Sequence, residues 1–198
     1  MGQLRLVLRR ASAADFEAVH SLLTEASRWL EREKDTDQWA KPWPDANGRN
    51  ERIKKAIEAG RTWIAWDETT PAATLTTSPN DHKIWPAEHA REPAVYIRRI
   101  TVSRDPKYAR RGLGGQLIDW AGLRASREYR AQWVRVDVWT TNTELHAYYR
   151  SLGFRFCDYS PVPRYPSAAL FQKPVEEIKP VDAPLFREDR QDLLDQFG

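Results

Sequence analysis

The sequence predicts an α+β fold: one domain with a mixed central sheet of about six to seven strands, flanked by helices and followed by a C-terminal tail. Three observations carry this expectation. Short apolar runs of period two alternate with longer segments whose apolar residues recur at helical spacing. A chain of 198 residues is long enough for one sizeable core. In mid-chain, the strand-like run Val95–Val102 passes through a glycine turn straight into a helical pattern. The domain is placed at residues 1–173 and the tail at 174–198.

The chain opens with Leu4, Leu6 and Leu8 alternating with Arg5, Val7 and Arg9, the pattern of a half-buried strand. Ser12 stands three residues before Asp15, as in a capping box, and Phe16, Val19, Leu22, Leu23, Ala26 and Leu30 then fall at helical spacing. From Trp29 to Trp43, tryptophans stand among charges, and Pro42 and Pro44 forbid regular structure. Trp29, Trp39 and Trp43 can wall a pocket or cap the core. A second helix is expected from about Asn50 to Ala59 and is stopped by Gly60. Thr62–Trp66 and Ala72–Thr77 read as a hairpin around Asp67–Pro71. The long loop Ser78–Pro93 holds His82, Trp85 and His89 and is open to a functional or a merely exposed reading.

The glycine turn reads Arg110-Arg111-Gly112-Leu113-Gly114-Gly115. Gly112 and Gly114 allow main-chain N–H groups to converge, and the helix that starts with Leu113 adds its unpaired donors and dipole. An anion is expected there, with Arg110 and Arg111 as fixed charges suited to a pyrophosphate. The turn is neither a Walker A loop, since Gly115-Gln116 follows Gly114, nor a dinucleotide fingerprint, since position 117 is Leu117.

Downstream, Trp133–Trp139 reads as a second strand that ends at Thr141-Asn142, and a helix carries Leu145, Tyr148, Tyr149 and Leu152 into Gly153-Phe154. Phe154–Tyr159 and Ala168–Gln172 follow as closing strands, and the tail ends in a short amphipathic pattern with Leu185, Phe186, Leu193, Leu194 and Phe197.

Composition excludes several classes. The tail carries three Lys/Arg against seven Asp/Glu, so the net charge of +3 becomes +7 on residues 1–173. A basic body suits an acidic ligand, but the basic residues form no stripe and no nucleic-acid reader motif. Neither a bilayer-spanning run nor a signal h-region is present, so a cytoplasmic protein with no membrane partner is expected. The four histidines lack metal spacing and Cys157 has no partner cysteine, so no metal site is expected. No nucleophile motif stands in the chain, which argues against covalent catalysis.

The run from Val95 to Phe154 resembles the GNAT acetyltransferase superfamily: a strand, a Gly-x-Gly turn, a helix, a strand ending near Asn142, and the closing Tyr148-Tyr149-Arg150-Ser151-Leu152-Gly153-Phe154. It departs at Ala109, where the superfamily carries Gln or Arg, and its loop after Val102 is about two residues longer than the strand-turn-helix pattern. The resemblance implies a GNAT-type acetyltransferase that takes acetyl-CoA as co-substrate and acetylates a primary amine, most simply of a small molecule, by direct attack in a ternary complex. A protein N-terminus or lysine as acceptor, or a noncatalytic acyl-CoA-binding module, are the alternatives.

It further implies that Ile100, Thr101 and Val102 bind the pantetheine arm, that Arg110, Arg111, Gly112, Leu113, Gly114 and Gly115 bind the pyrophosphate, and that Asn142 also binds the arm. Tyr149 would protonate the departing thiolate. Helix capping by Asn142 and core packing by Tyr149 are compatible with those roles. The base position of the superfamily falls on Arg98 and Arg99, which cannot serve. Asp137 is expected to pair with a neighbouring arginine, and Glu68 and Glu88 lie in loops that could reach the site; if no carboxylate serves, water accepts the proton. A tail that docks on the body or on a neighbour leaves a homodimer open.

Overall fold

The computed structural model describes residues 5–40, 45–81 and 83–194, with side chains through Asp192; Leu4, Pro42, Trp43, Pro44, His82 and Phe197, and the side chains of Leu193 and Leu194, lie outside that description. β1 (Leu6–Arg10) buries Leu6 and Leu8 and hands over to a 3-10 turn at Ala13–Asp15. There the Asp15 carboxylate accepts from the backbone N–H of Ser12 at 2.7 Å and from both arms of the Arg9 guanidinium at 2.8 Å. α1 (Phe16–Glu33) follows, with Val19, Leu22, Leu23, Ala26 and Leu30 on its buried face.

α2 (Ala46–Glu58) starts four residues before the expected Asn50, because Asp45 caps it by accepting from the N–H of Gly48 at 2.8 Å. β2 (Thr62–Asp67) and β3 (Thr70–Ser78) form the expected hairpin, with a tighter turn than Asp67–Pro71. The loop after β3 contains a short helix, α3 (Ala87–Ala90), and is anchored rather than loosely exposed. Trp85 is buried against Tyr96, their ring centroids 5.7 Å apart, and the fully buried Arg135 guanidinium stacks on its face at 4.9 Å.

β4 (Ala94–Val102), α4 (Leu113–Tyr129), β5 (Trp133–Val138), α5 (Thr143–Ser151), β6 (Arg155–Tyr159) and β7 (Ala169–Pro174) follow in the expected order. The segment expected as a tail adds β8 (Phe186–Glu188) and α6 (Arg190–Leu194). Eight strands therefore form one sheet, in the order β6-β7-β5-β4-β3-β2-β1-β8, one more than the upper expectation. The extra strand pairs in parallel with β1 and is held by Glu188, which accepts from Trp120 Nε1 at 3.0 Å and pairs with the buried Arg124. Glu177 and Asp192 of the same segment also pair with the body, with Arg155 and Arg10. Among the described residues, only β4–β5 and β1–β8 are parallel. The main core lies between α4 and the sheet, built from Val95, Ile97, Leu113, Leu117, Val134 and Val136 among others.

Candidate active site

Ladder pairing between β4 and β5 runs from Ala94↔Trp133 to Ile97↔Val136 and stops there. A bulge accounts for the parting. Between Thr74 and Thr76 the β3–β4 register shifts, and Arg99 opposite takes a left-handed φ of 49°, which bends β4 away from β5. The parted strands open a cleft of ≈ 770 Å³ whose walls include Ile100, Thr101 and Val102 on one side and Asp137, Trp139 and Asn142 on the other.

At one end of the cleft, Gly112 precedes α4 with a φ of 78°, and no side chain caps that helix. The first-turn N–H groups of Leu113, Gly114 and Gly115 are therefore left to a ligand or solvent. Gly114 also permits close approach of α5: a Cβ on it would fall 3.0 Å from the Tyr148 hydroxyl and 3.7 Å from Val102 Cγ2. Arg110 and Arg111 line the same end, and neither has an ion-pair partner among the described residues. Of the residues expected to bind the ligand, Gly115 alone does not line the cleft; it packs on Leu152, and its contribution is the helix N–H.

Two adjacent tyrosines of α5 take different positions. Tyr148 is 42% exposed and reaches the glycine turn. Tyr149 is buried at 6% exposure, lines the cleft, and stacks edge-on against Phe154 at 5.3 Å. Burial first, then the charges of Tyr148 and Asp137, raises its phenol well above the ordinary value, so it stays protonated across the working range. Tyr149 and Asp137 both line the cleft.

Asn142 caps α5 by accepting from the N–H of Leu145 at 2.9 Å, and its amide donates to Gln38 Oε1 at 2.6 Å. One amide hydrogen remains. Beside it, Asp37 accepts from Trp139 Nε1 at 2.7 Å and from the Thr141 hydroxyl at 2.9 Å. The segment after α1 is thereby strapped to the β5–α5 turn. Trp29 and Trp39 both line the cleft; the Arg104 guanidinium lies 3.9 Å from the centroid of Trp29, and Trp39 also packs on the α1–α2 core.

Asp137 accepts from Arg98 Nε at 3.2 Å and from the Tyr165 hydroxyl. Arg98 also pairs with the buried Asp81. Burial opposes its charge, but the two carboxylates prevail and hold it above the ordinary arginine value. Among the described residues, the only other acidic one in the cleft wall, Glu144, pairs with Lys34 at 2.5 Å. Glu68 and Glu88, the loop carboxylates with a chance of reaching the site, do not line it.

Sequence reasoning missed Gln38, Arg49, Arg52, Asp81 and Tyr165. Asp45 before Gly48 was a usable signal for α2, and starting the helix there puts Arg49 and Arg52 on one face. Asp81 and Tyr165 come from irregular segments, where no periodicity marks them.

Residues 19–154 match the profile of the acetyltransferase (GNAT) family. No curated protein matches the sequence. Among solved structures, a GNAT-family acetyltransferase from Listeria monocytogenes 4b F2365 has a similar fold, with a TM-score of 0.66 and 24% identity over 87% of this chain and 96% of that one. PaiA N-acetyltransferase from Thermoplasma acidophilum, in complex with coenzyme A, gives 0.63 at 15% identity over 86% and 99%. An agmatine N-acetyltransferase gives 0.57 at 19% identity over 85% and 99%. The family match spans both strands of the fork, the glycine turn and α5, and on it the chain is a member of the GNAT family, an N-acetyltransferase fold that transfers acetyl groups with coenzyme A.

Proposed function

We propose that this chain transfers the acetyl group of acetyl-CoA to the primary amine of a small molecule, by direct attack with both substrates bound. The observation that carries the reading is the fork: pairing ends at Ile97↔Val136, and the cleft so opened has uncapped helix N–H groups at one end and Tyr149 in its wall. The residues present fit coenzyme A. Arg110, Arg111 and the first-turn N–H groups of α4 suit a pyrophosphate, and the unpaired edge of β4 from Ile100 to Val102 suits the amide groups of a pantetheine arm lying as an added strand. Acetyl-CoA would supply an activated carbonyl and a thiolate leaving group.

A main-chain N–H on the parted edge of β4 would polarise that carbonyl oxygen. The Tyr149 phenol, kept protonated by burial, would donate its proton to the leaving sulfur. Asn142 would steady the arm with its remaining amide hydrogen. Both carboxylates in the cleft wall are engaged in ion pairs, so the amine proton would pass to water rather than to a protein base. The strap from Asp37 and Gln38 to the β5–α5 turn joins the cleft walls and favours a small acceptor over a protein lysine. A cytoplasmic location and a homodimer remain part of this reading as proposals. Thermal-shift titration with acetyl-CoA, followed by a panel of amines assayed for free thiol, tests it: the expected result is stabilisation by acetyl-CoA and thiol release that requires an amine.

A further inference from the structure

Beyond Tyr149, the cleft collects cations. Arg49 and Arg52 project from α2, and Arg98 and Arg99 come from the bulge of β4; all four line it. Arg98 is neutralised by Asp81 and Asp137. Arg99 is not. Its Nε is sequestered from solvent with no hydrogen-bond partner, and neither it nor Arg49 has an ion pair among the described residues. Burial first, then the like charges of Arg98 and Arg52, brings the Arg99 guanidinium down to about 10, still cationic at neutral pH. Burial likewise lowers Arg49. A half-buried guanidinium held against like charges is costly unless something supplies a counter-charge. The cleft wall does not, since Asp137 and Glu144 already have partners.

We infer that the acceptor is an amine that also carries an oxyanion group, a carboxylate or a phosphate, bound by Arg99 and Arg49 at the α2 side of the cleft. This rests on the acetyl-transfer reading and names the class of its acceptor. A guanidinium fork matches either oxyanion with paired hydrogen bonds. The same cluster repels a diamine and disfavours the ammonium form of the amine brought beside it, which helps a site that lacks a base. Arg99 stands upstream of Ile100–Val102 on β4, whereas Gly112–Gly114 follow that strand at the start of α4, so it is not among the groups assigned to the coenzyme A pyrophosphate.

The test compares matched amines: β-alanine, phosphoethanolamine, propylamine and 1,3-diaminopropane, each assayed for kcat/KM and, with the enzyme saturated in coenzyme A, for binding by calorimetry. The two anionic amines separate carboxylate from phosphate. The expected result is a preference for an anionic amine of about 10–100-fold over propylamine, the range for a hydrogen bond to a charged group. Arg99→Gln and, separately, Arg49→Gln should erase most of that ratio through KM for the amine, with KM for acetyl-CoA unchanged; Arg99→Lys should restore part of it. Preference for propylamine or the diamine overturns the inference, as does a rise in KM for acetyl-CoA in Arg99→Gln. Calorimetry keeps the two readings apart: anionic amine bound without any turnover sinks acetyl transfer and keeps the anion site, whereas turnover with no anionic preference does the reverse.

Discussion

Arg98 Nε donates to Asp137 Oδ1 at 3.2 Å at the positions immediately beyond the last β4–β5 pair, so an ion pair stands where the ladder hydrogen bonds cease. This makes Asp137 a structural anchor. Asp137→Asn should lower stability, but by less than the about 3–5 kcal/mol of an orphaned buried charge, because Asp81 keeps Arg98 paired. In wild type, kcat/KM should climb with pH towards the pKa of the acceptor amine. The climb should persist in Asp137→Asn, Glu68→Gln and Glu88→Gln. A folded variant that binds acetyl-CoA normally but is about 10²-fold slower, with a flattened profile, would identify a protein base.

Tyr149→Phe keeps the ring that packs on Phe154 and removes only the hydroxyl that would donate the proton. The expected outcome is a kcat about 10²–10⁴-fold lower with little change in acetyl-CoA affinity or melting temperature. Tyr148→Phe, at the glycine turn, should be far milder in kcat. Steady-state kinetics on the pair distinguishes the positions, and equal losses would remove the distinction.

Gly114→Val sets a branched side chain against the Tyr148 hydroxyl and Val102, across the place where the arm and pyrophosphate would meet. Calorimetry should find acetyl-CoA binding lost while the circular dichroism spectrum is retained. Unchanged affinity would move the ligand elsewhere.

Asp15 provides a pH-dependent contribution to stability. The Arg9 fork, against the opposing effect of burial and with help from Ser12, lowers its carboxyl to about 2 from 3.8. A depressed folded value stabilises the protein fully above the unfolded pKa, and the contribution is lost as pH falls from about 4 towards 2. Asp15→Asn should therefore lower the melting temperature at pH 7 and narrow the gap from wild type as pH approaches 2. A gap independent of pH would mean that capping alone matters.

Much of this was legible in residues. The two strands of the fork, the glycine turn and the α5 ending were readable because their periods and glycines are local signals. What the sequence hid was nonlocal. The bulge at Arg99 depends on β3 and β4 pairing out of step, with no glycine to mark it. β8 is only three residues long, pairs with β1 from the far end of the chain and is held by Trp120 and Arg124, so a docking tail was readable but its strand was not. Trp85 and Arg135 bury each other from a loop and a strand, and only tertiary packing shows that the loop is anchored. Asn142 caps α5, as its residue type allowed, and lines the cleft; only its bond to Gln38 from across the cleft was beyond local reading.

Acetyl transfer to an amine in the fork is tested most directly by counting products of one reaction: N-acetylated amine by mass spectrometry against free coenzyme A thiol, with acetyl-CoA and an anionic amine supplied together. The account predicts one acetylated amine for each thiol released, and no thiol without the amine. Thiol released equally in its absence, or acetyl-CoA bound with no acetylated product from any amine in the panel, would contradict it.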